Sequence, residues 1–215
     1  MEIIKSILLG IVQGLTEFLP ISSSGHLEIF KVILGFETGL NNNILFTLIL
    51  HLATSFSVIV VYWNDIKKIL KSIFRIKKDE NTYFFSLILI SIFPAGIVGF
   101  FFEEKISNLF DGNIILVGSM LLFTSMILFI SDFKINTTNK LDYVKSFFVG
   151  VSQALAIIPG VSRSGITISI ALLLGWERKD ATKFSFLLGL PAISLAAFVE
   201  LFDFCLLYTS DAADE

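Results

Sequence analysis

Gly10-Ile-Val-Gln13-Gly-Leu15-Thr-Glu17-Phe-Leu-Pro20-Ile-Ser22-Ser23-Ser24-Gly25-His26 returns 140 positions later as Gly150-Val-Ser-Gln153-Ala-Leu155-Ala-Ile-Ile-Pro159-Gly160-Val-Ser162-Arg163-Ser164-Gly165-Ile-Thr167. At this constant offset Gly10, Gln13, Leu15, Ser22, Ser24 and Gly25 recur as Gly150, Gln153, Leu155, Ser162, Ser164 and Gly165, and the match runs on to Leu34-Gly35 with Leu174-Gly175 and Glu37 with Glu177. The copies differ in their charged groups. Glu17 and His26 occur only in the first and Arg163 only in the second. A duplicated, interrupted apolar segment with complementary charges points to one site built between two halves.

Composition identifies the solvent around these segments. Of 215 residues, 54% are hydrophobic, 23 are Phe and only 16% are charged, with a mean hydropathy of +0.82. The charges are clustered, which leaves uncharged runs too long for a soluble domain of this size to cover. Cys205 is the one cysteine, so neither an internal disulfide nor a cysteine metal site is expected. Met1–Leu9 has one Lys and no small-residue cleavage site after it, so no cleaved signal peptide is expected. The chain reads as an all-α, polytopic integral membrane protein. Nothing in the charge pattern calls for a nucleic-acid partner, and a homo-oligomer is left open.

Three segments have spanning length without internal charge: Ile44–Trp63, Tyr83–Phe102 and Ile114–Ser131. A fourth, Phe184–Val199, is apolar through Pro191 and then meets Glu200 and Asp203. Each duplicated segment breaks at its Pro/Gly/Ser cluster into two pieces of about a dozen residues, roughly half a membrane each. Both are therefore expected to be re-entrant helix–loop–helix hairpins, with full kinked spans as the alternative.

Basic residues orient the chain. The loop Asn64–Thr82 holds Lys67, Lys68, Lys71, Arg75, Lys77 and Lys78, and Lys134, Lys140, Arg178, Lys179 and Lys183 lie in two further loops. Glu37–Asn43 has no Lys or Arg, and Glu103–Asn113 has one Lys against three acids. The basic loops are read as cytoplasmic. An odd number of spans between the hairpins then makes them enter from opposite faces, giving an inverted-topology repeat. The expected domain is residues 1–204, with unit one over 1–132 and an incomplete unit two over 142–204. Two spans are missing from unit two, and residues 205–215 read as a polar tail outside the fold.

Several polar residues need a reason at membrane depth. Gln13 and Glu17 are i and i+4 on one helix face and offer oxygens to a hard cation, Mg²⁺ or Ca²⁺. Ser22-Ser23-Ser24-Gly25 opens a short helix, where free N–H groups and hydroxyls suit phosphate. Gly160, Ser162, Arg163, Ser164 and Thr167 supply the same chemistry from the second copy, with a guanidinium able to grip phosphate oxygens in pairs. His26 has no capping role, whereas His51, inside a span, reads as structural. The set suits phosphoryl transfer from a substrate that lives in the bilayer.

These residues resemble the bacterial undecaprenyl-diphosphate phosphatases, the bacitracin-resistance family. Its (E/Q)xxxE element appears as Gln13–Glu17 running into Phe18–His26, and its PGxSRSxxT element is complete from Pro159 to Thr167. The resemblance implies hydrolysis of a polyprenyl diphosphate to the monophosphate carrier of envelope polysaccharide synthesis. It further implies a divalent cation and a site open to the outer face of the bacterial inner membrane. On that reading Glu17, with Gln13, holds the metal or activates the nucleophile, Ser23 is the nucleophile, His26 a proton shuttle, and Arg163 stabilises the transferred phosphoryl group. Attack by metal-activated water, with Ser23 only a phosphate ligand, is the other chemical route. The rival function is a lipid-phosphate transporter using the same inverted repeat.

Overall fold

The computed structural model describes residues 2–36, 40–107, 113–133 and 141–211, and every regular element among them is a helix. The order is α1 (Glu2–Phe18), α2 (Ser23–Leu34), α3 (Leu40–Val61), α4 (Trp63–Phe74), α5 (Glu80–Ser107), α6 (Ile114–Asp132), α7 (Tyr143–Leu155), α8 (Arg163–Leu173) and α9 (Arg178–Asp211). Both duplicated segments are broken as expected. α1 packs on α2 and α7 on α8, so each forms a hairpin. α5 and α6 are long and apolar enough to cross a membrane, and α3 joins them when taken with α4. The chain is a polytopic membrane protein.

The two breaks are built alike. Ser22 caps α2 and Ser162 caps α8, each accepting the backbone N–H three residues on, from Gly25 at 3.3 Å and Gly165 at 3.0 Å. In both turns the cap hydroxyl lies 3.4 Å from the serine two residues later. Each serine cap satisfies one of the otherwise unpaired N–H groups of its helix's first turn.

Close packing at small residues sets α7 against α5. A Cβ on Gly150 would lie 2.4 Å from the carbonyl oxygen of Ser91, and the Ser91 hydroxyl donates to the carbonyl of Ser146 at 2.6 Å. Ser146 and Gly150 are one turn apart, the small-residue spacing that lets membrane helices approach. Behind this contact Leu87, Val149, Phe184 and Leu188 are buried, with the Phe184 ring edge-on to both Phe84 and Trp176. α6 supports the second hairpin through two hydroxyls about two turns apart on one face. Thr124 Oγ1 accepts from Ser162 N–H at 3.1 Å, and the Ser131 hydroxyl donates to Ser169 at 3.2 Å.

The segment read as the loop Asn64–Thr82 is corrected by the structure. It is mostly helix α4, bent 79° from α3. Its apolar residues recur every three or four positions between the lysines, so a surface helix forms where charge counting alone gives a loop. Two other boundaries shift. α5 continues past a kink at Phe102 to Ser107, and α9 runs without interruption from Arg178 to Asp211, through residues 205–211. Glu37, Lys134 and Lys140 lie outside the described residues.

Candidate active site

The hairpin tips meet in a crossed contact that obeys the repeat. A Cβ on Gly25 would lie 3.3 Å from Gly160 Cα, and one on Gly165 would lie 2.8 Å from the carbonyl of Pro20. Gly25 and Gly165 are one repeat position, and Pro20 and Gly160 another. A pseudo-twofold axis therefore passes between the tips. Ser23 and Arg163 are also one repeat position, the first residue of α2 and of α8, so the axis brings a hydroxyl and a guanidinium to equivalent places.

Between the tips lies a cavity of about 240 Å³ lined by Glu17, Ser22, Ser23, Ser24, Ser162, Arg163, Ser164 and His51, with Thr16, Ala156, Val161, Ala192 and Ile193 completing its walls. Glu17 is the hub. Its Oε2 accepts the Ser23 hydroxyl at 2.5 Å and Gln13 Nε2 at 3.1 Å, and its Oε1 accepts Arg163 Nη2 at 3.2 Å. The Glu17 and Arg163 side chains keep only 12% and 19% exposure, so each charge is paired where desolvation would otherwise be costly. Arg163 is held from behind as well, Nη1 donating to the carbonyl of Ser185 at 3.2 Å. The first amides of α2 and α8 carry the positive ends of two helix dipoles at the residues that line the same space.

Other residues singled out in the sequence lie elsewhere. Gly25 and Gly160 pack tip against tip, and a Cβ on Gly160, at φ 92°, would also meet the Val117 carbonyl at 2.6 Å. Thr167 is fully buried, donating to the carbonyl of Arg163 at 2.7 Å and lying 2.7 Å from the Ser185 hydroxyl. Gln13 is buried beneath the cavity, and its Oε1 has no hydrogen-bond partner.

His26 is not brought into the cavity. It lines a separate space with Pro20, Ile21 and the α6 residues Gly118, Leu121 and Thr124. Its Nδ1–H donates to the Ser22 carbonyl at 2.7 Å. Ser22 has φ 70°, a backbone conformation that costs a non-glycine residue on the order of 1–3 kcal/mol. The imidazole thus fastens the strained residue beside Ser23.

Three contributors are missing from the sequence reading of the site, in which His51 is structural and Ser185 and Gly189 do not appear. His51 reaches the wall from α3, where its only signal was being a histidine within an apolar run. Ser185 anchors Arg163 and Thr167 from α9. Gly189 leaves room for the guanidinium, since a Cβ there would lie 1.7 Å from Arg163 Nη1.

The sequence matches a known family over most of its length. The profile of the bacitracin resistance protein BacA family matches residues 6–214. An undecaprenyl-diphosphatase of Christiangramia forsetii is 49% identical over 193 residues, 90% of this chain and 73% of its own length. Those of Halothermothrix orenii and Methanococcus vannielii are 45% and 42% identical, covering 94% and 92% of this chain and 76% and 78% of their own. The chain belongs to the bacitracin resistance protein BacA family.

Proposed function

We propose that this protein hydrolyses a polyprenyl diphosphate, undecaprenyl diphosphate by likeness to its relatives, to the lipid monophosphate and inorganic phosphate. The observation that carries this reading is the Ser23 hydroxyl donating to Glu17 at 2.5 Å while Arg163 holds the other carboxylate oxygen. A hydroxyl, an adjacent base and a group orienting that base are the parts of an activated nucleophile.

In this scheme Ser23 Oγ bonds to the terminal phosphorus and its proton passes to Glu17. The bond from that phosphorus to the bridging oxygen breaks, and the lipid monophosphate leaves with the electron pair and takes the proton. Water then attacks the phosphoserine, giving a proton to the freed Glu17 carboxylate. The Ser23–phosphorus bond breaks, Glu17 returns the proton to the serine oxygen, and inorganic phosphate departs. Arg163, the α2 and α8 amides and the serine hydroxyls face the phosphoryl oxygens, where charge stabilisation contributes most. His51 donates to the same phosphate, and His26 positions the turn that carries Ser23.

The donors fit a divalent cation that binds together with the diphosphate. Such cations take one or two protein carboxylates and fill their shell with phosphate and water oxygens. Glu17 and the unpartnered Gln13 Oε1 would hold it, and among the described residues no group of three His, Cys, Asp or Glu forms a cage. Mg²⁺ or Ca²⁺ bound there would offset the negative charge of the transferred group.

On this reading the protein lies in the bacterial inner membrane with its cavity open to the outer side. The basic α4 and the basic first turns of α9 are joined by the Lys183–Asp65 ion pair, which supports a common cytoplasmic side. A transporter is the weaker reading, since a carrier needs no hydroxyl coupled to a base. Phosphate release from a long-chain polyprenyl diphosphate by purified protein, abolished by chelator, is the expected result. No release in detergent, with transfer only between two compartments, would replace the phosphatase with the carrier.

A further inference from the structure

α4 has three distinct arcs at about 100° per residue. Ile66, Ile69, Ser72 and Ile73 face the protein, where Ile69 and Ser72 are buried and Asp65 pairs with Lys183 on α9. The helix end is tied down too, with the Ser72 hydroxyl donating to Asp79 at 2.7 Å. A second arc carries Trp63, Leu70 and Phe74, all exposed, Phe74 by 82%. A third carries Lys68, Lys71 and Arg75, which make no ion pair among the described residues, and Lys77 and Lys78 follow directly. Lys67, between the arcs, sits 5.1 Å over the Trp63 ring.

The helix is thus firmly docked on one side while offering water an apolar strip edged with cations. Its C-terminus adds an independent sign. Ile76 adopts φ 50° just past the helix end, the position that normally falls to glycine, and its side chain is 89% exposed. A β-branched residue has neither a steric nor a solvation reason to be there in water. An apolar medium supplies the solvation reason. The 79° bend turns α4 across the direction of α3, the orientation that suits a helix lying along a bilayer surface.

We propose that α4 and the turn through Lys78 form a binding surface for anionic phospholipid, with Trp63, Leu70, Phe74 and Ile76 among the upper acyl chains and the cations on the headgroups. Mixed apolar and basic arcs are what an interfacial helix needs for selective attachment to a negatively charged lipid. The surface is distinct from the phosphate cavity and contributes no residue to it.

The two tryptophans make this measurable. Trp63 is 48% exposed and Trp176 1% exposed, so lipid-borne quenchers report on Trp63 alone. The full chain is reconstituted in phosphatidylcholine vesicles containing a fixed fraction of brominated lipid, with bromines near the headgroup end of the chains. Brominated phosphatidylglycerol should quench roughly twofold or more over brominated phosphatidylcholine, the preference vanishing at high salt. Lys68→Gln/Lys71→Gln/Arg75→Gln should lose that preference while phosphate release is retained. Equal quenching by both lipids would overturn charge-selective binding. Absence of quenching by either would overturn the lipid surface itself, leaving α4 covered by another protein or a second copy.

Discussion

Glu17 and Arg163 are 146 positions apart in the chain and 3.2 Å apart in space, each charge supplied by one copy of the duplicated segment. Among the described residues neither Glu17 nor Arg163 has an opposite charge to pair with inside its own hairpin. A carboxylate or guanidinium this buried is costly without its partner, so the pair couples folding of the two copies as well as their chemistry.

The nucleophile is open to direct trial. Ser23→Ala should reduce turnover by at least about a hundredfold, because the hydroxyl on Glu17 is removed without disturbing the Ser22 cap. Acid quenching of the wild-type protein with substrate labelled at the terminal phosphate should leave label on Ser23. Full turnover without trapped label, retained in Ser23→Ala, would assign attack to water instead.

His26 and His51 should separate in their kinetics. His51 lines the cavity and touches bound phosphate in this account, so His51→Asn should raise KM roughly tenfold with kcat little changed. His26 acts through the Ser22 carbonyl, so His26→Ala should lower kcat while KM stays near wild type. A reversed pattern, read from initial rates of phosphate release, would exchange the two roles.

Gly150 and Gly10 occupy the same repeat position in different packing. Gly150→Ala forces a Cβ to 2.4 Å from the Ser91 carbonyl and should destabilise the protein by about 1–3 kcal/mol. Gly10→Ala meets only Leu50 at 3.8 Å and should be neutral or stabilising, by up to about 1 kcal/mol. Thermal unfolding in one detergent compares them. Equal losses would mean that α1 and α7 are packed alike.

The turn between α4 and α5 should be acid-sensitive. Hydrogen bonds from the Ser72 hydroxyl, then from the Thr82 backbone, hold the Asp79 carboxyl below its ordinary value. A depressed carboxylate contributes stability that is complete above the unfolded value of about 3.9 and is lost as pH falls through the folded one. Hydrogen exchange over residues 72–82 should therefore show constant protection from pH 8 to pH 5. Protection should fall only below about pH 4, and Asp79→Asn should remove this dependence. Loss of protection between pH 6 and 7 would place the control elsewhere.

Much of the architecture was legible because repetition and charge survive in one dimension. The 140-residue offset located both hairpins, and the isolated charges Glu17 and Arg163 marked the residues that the tips bring together. What was hidden depends on rotation about a helix axis. His26 follows Ser23 by three residues, yet the turn carries its ring to the α6 side, while His51 arrives from α3 with no nearby motif. Gly189 and Ser185 act only by where they let the guanidinium lie. In α4 the abundance of lysine masked an apolar period of three to four residues.

The most direct measurement is a double-mutant cycle on phosphate release, with Glu17→Gln and Arg163→Lys alone and combined, at matched folding. Glu17→Gln keeps shape and removes the base, and should cost about a hundredfold or more in kcat. Arg163→Lys keeps charge but loses the two-point grip, with an expected loss of roughly 10²–10³. If the two residues form one catalytic unit, the double mutant should be little worse than the poorer single mutant. Losses that multiply, or near wild-type release by either single mutant, would contradict a site assembled across the repeat.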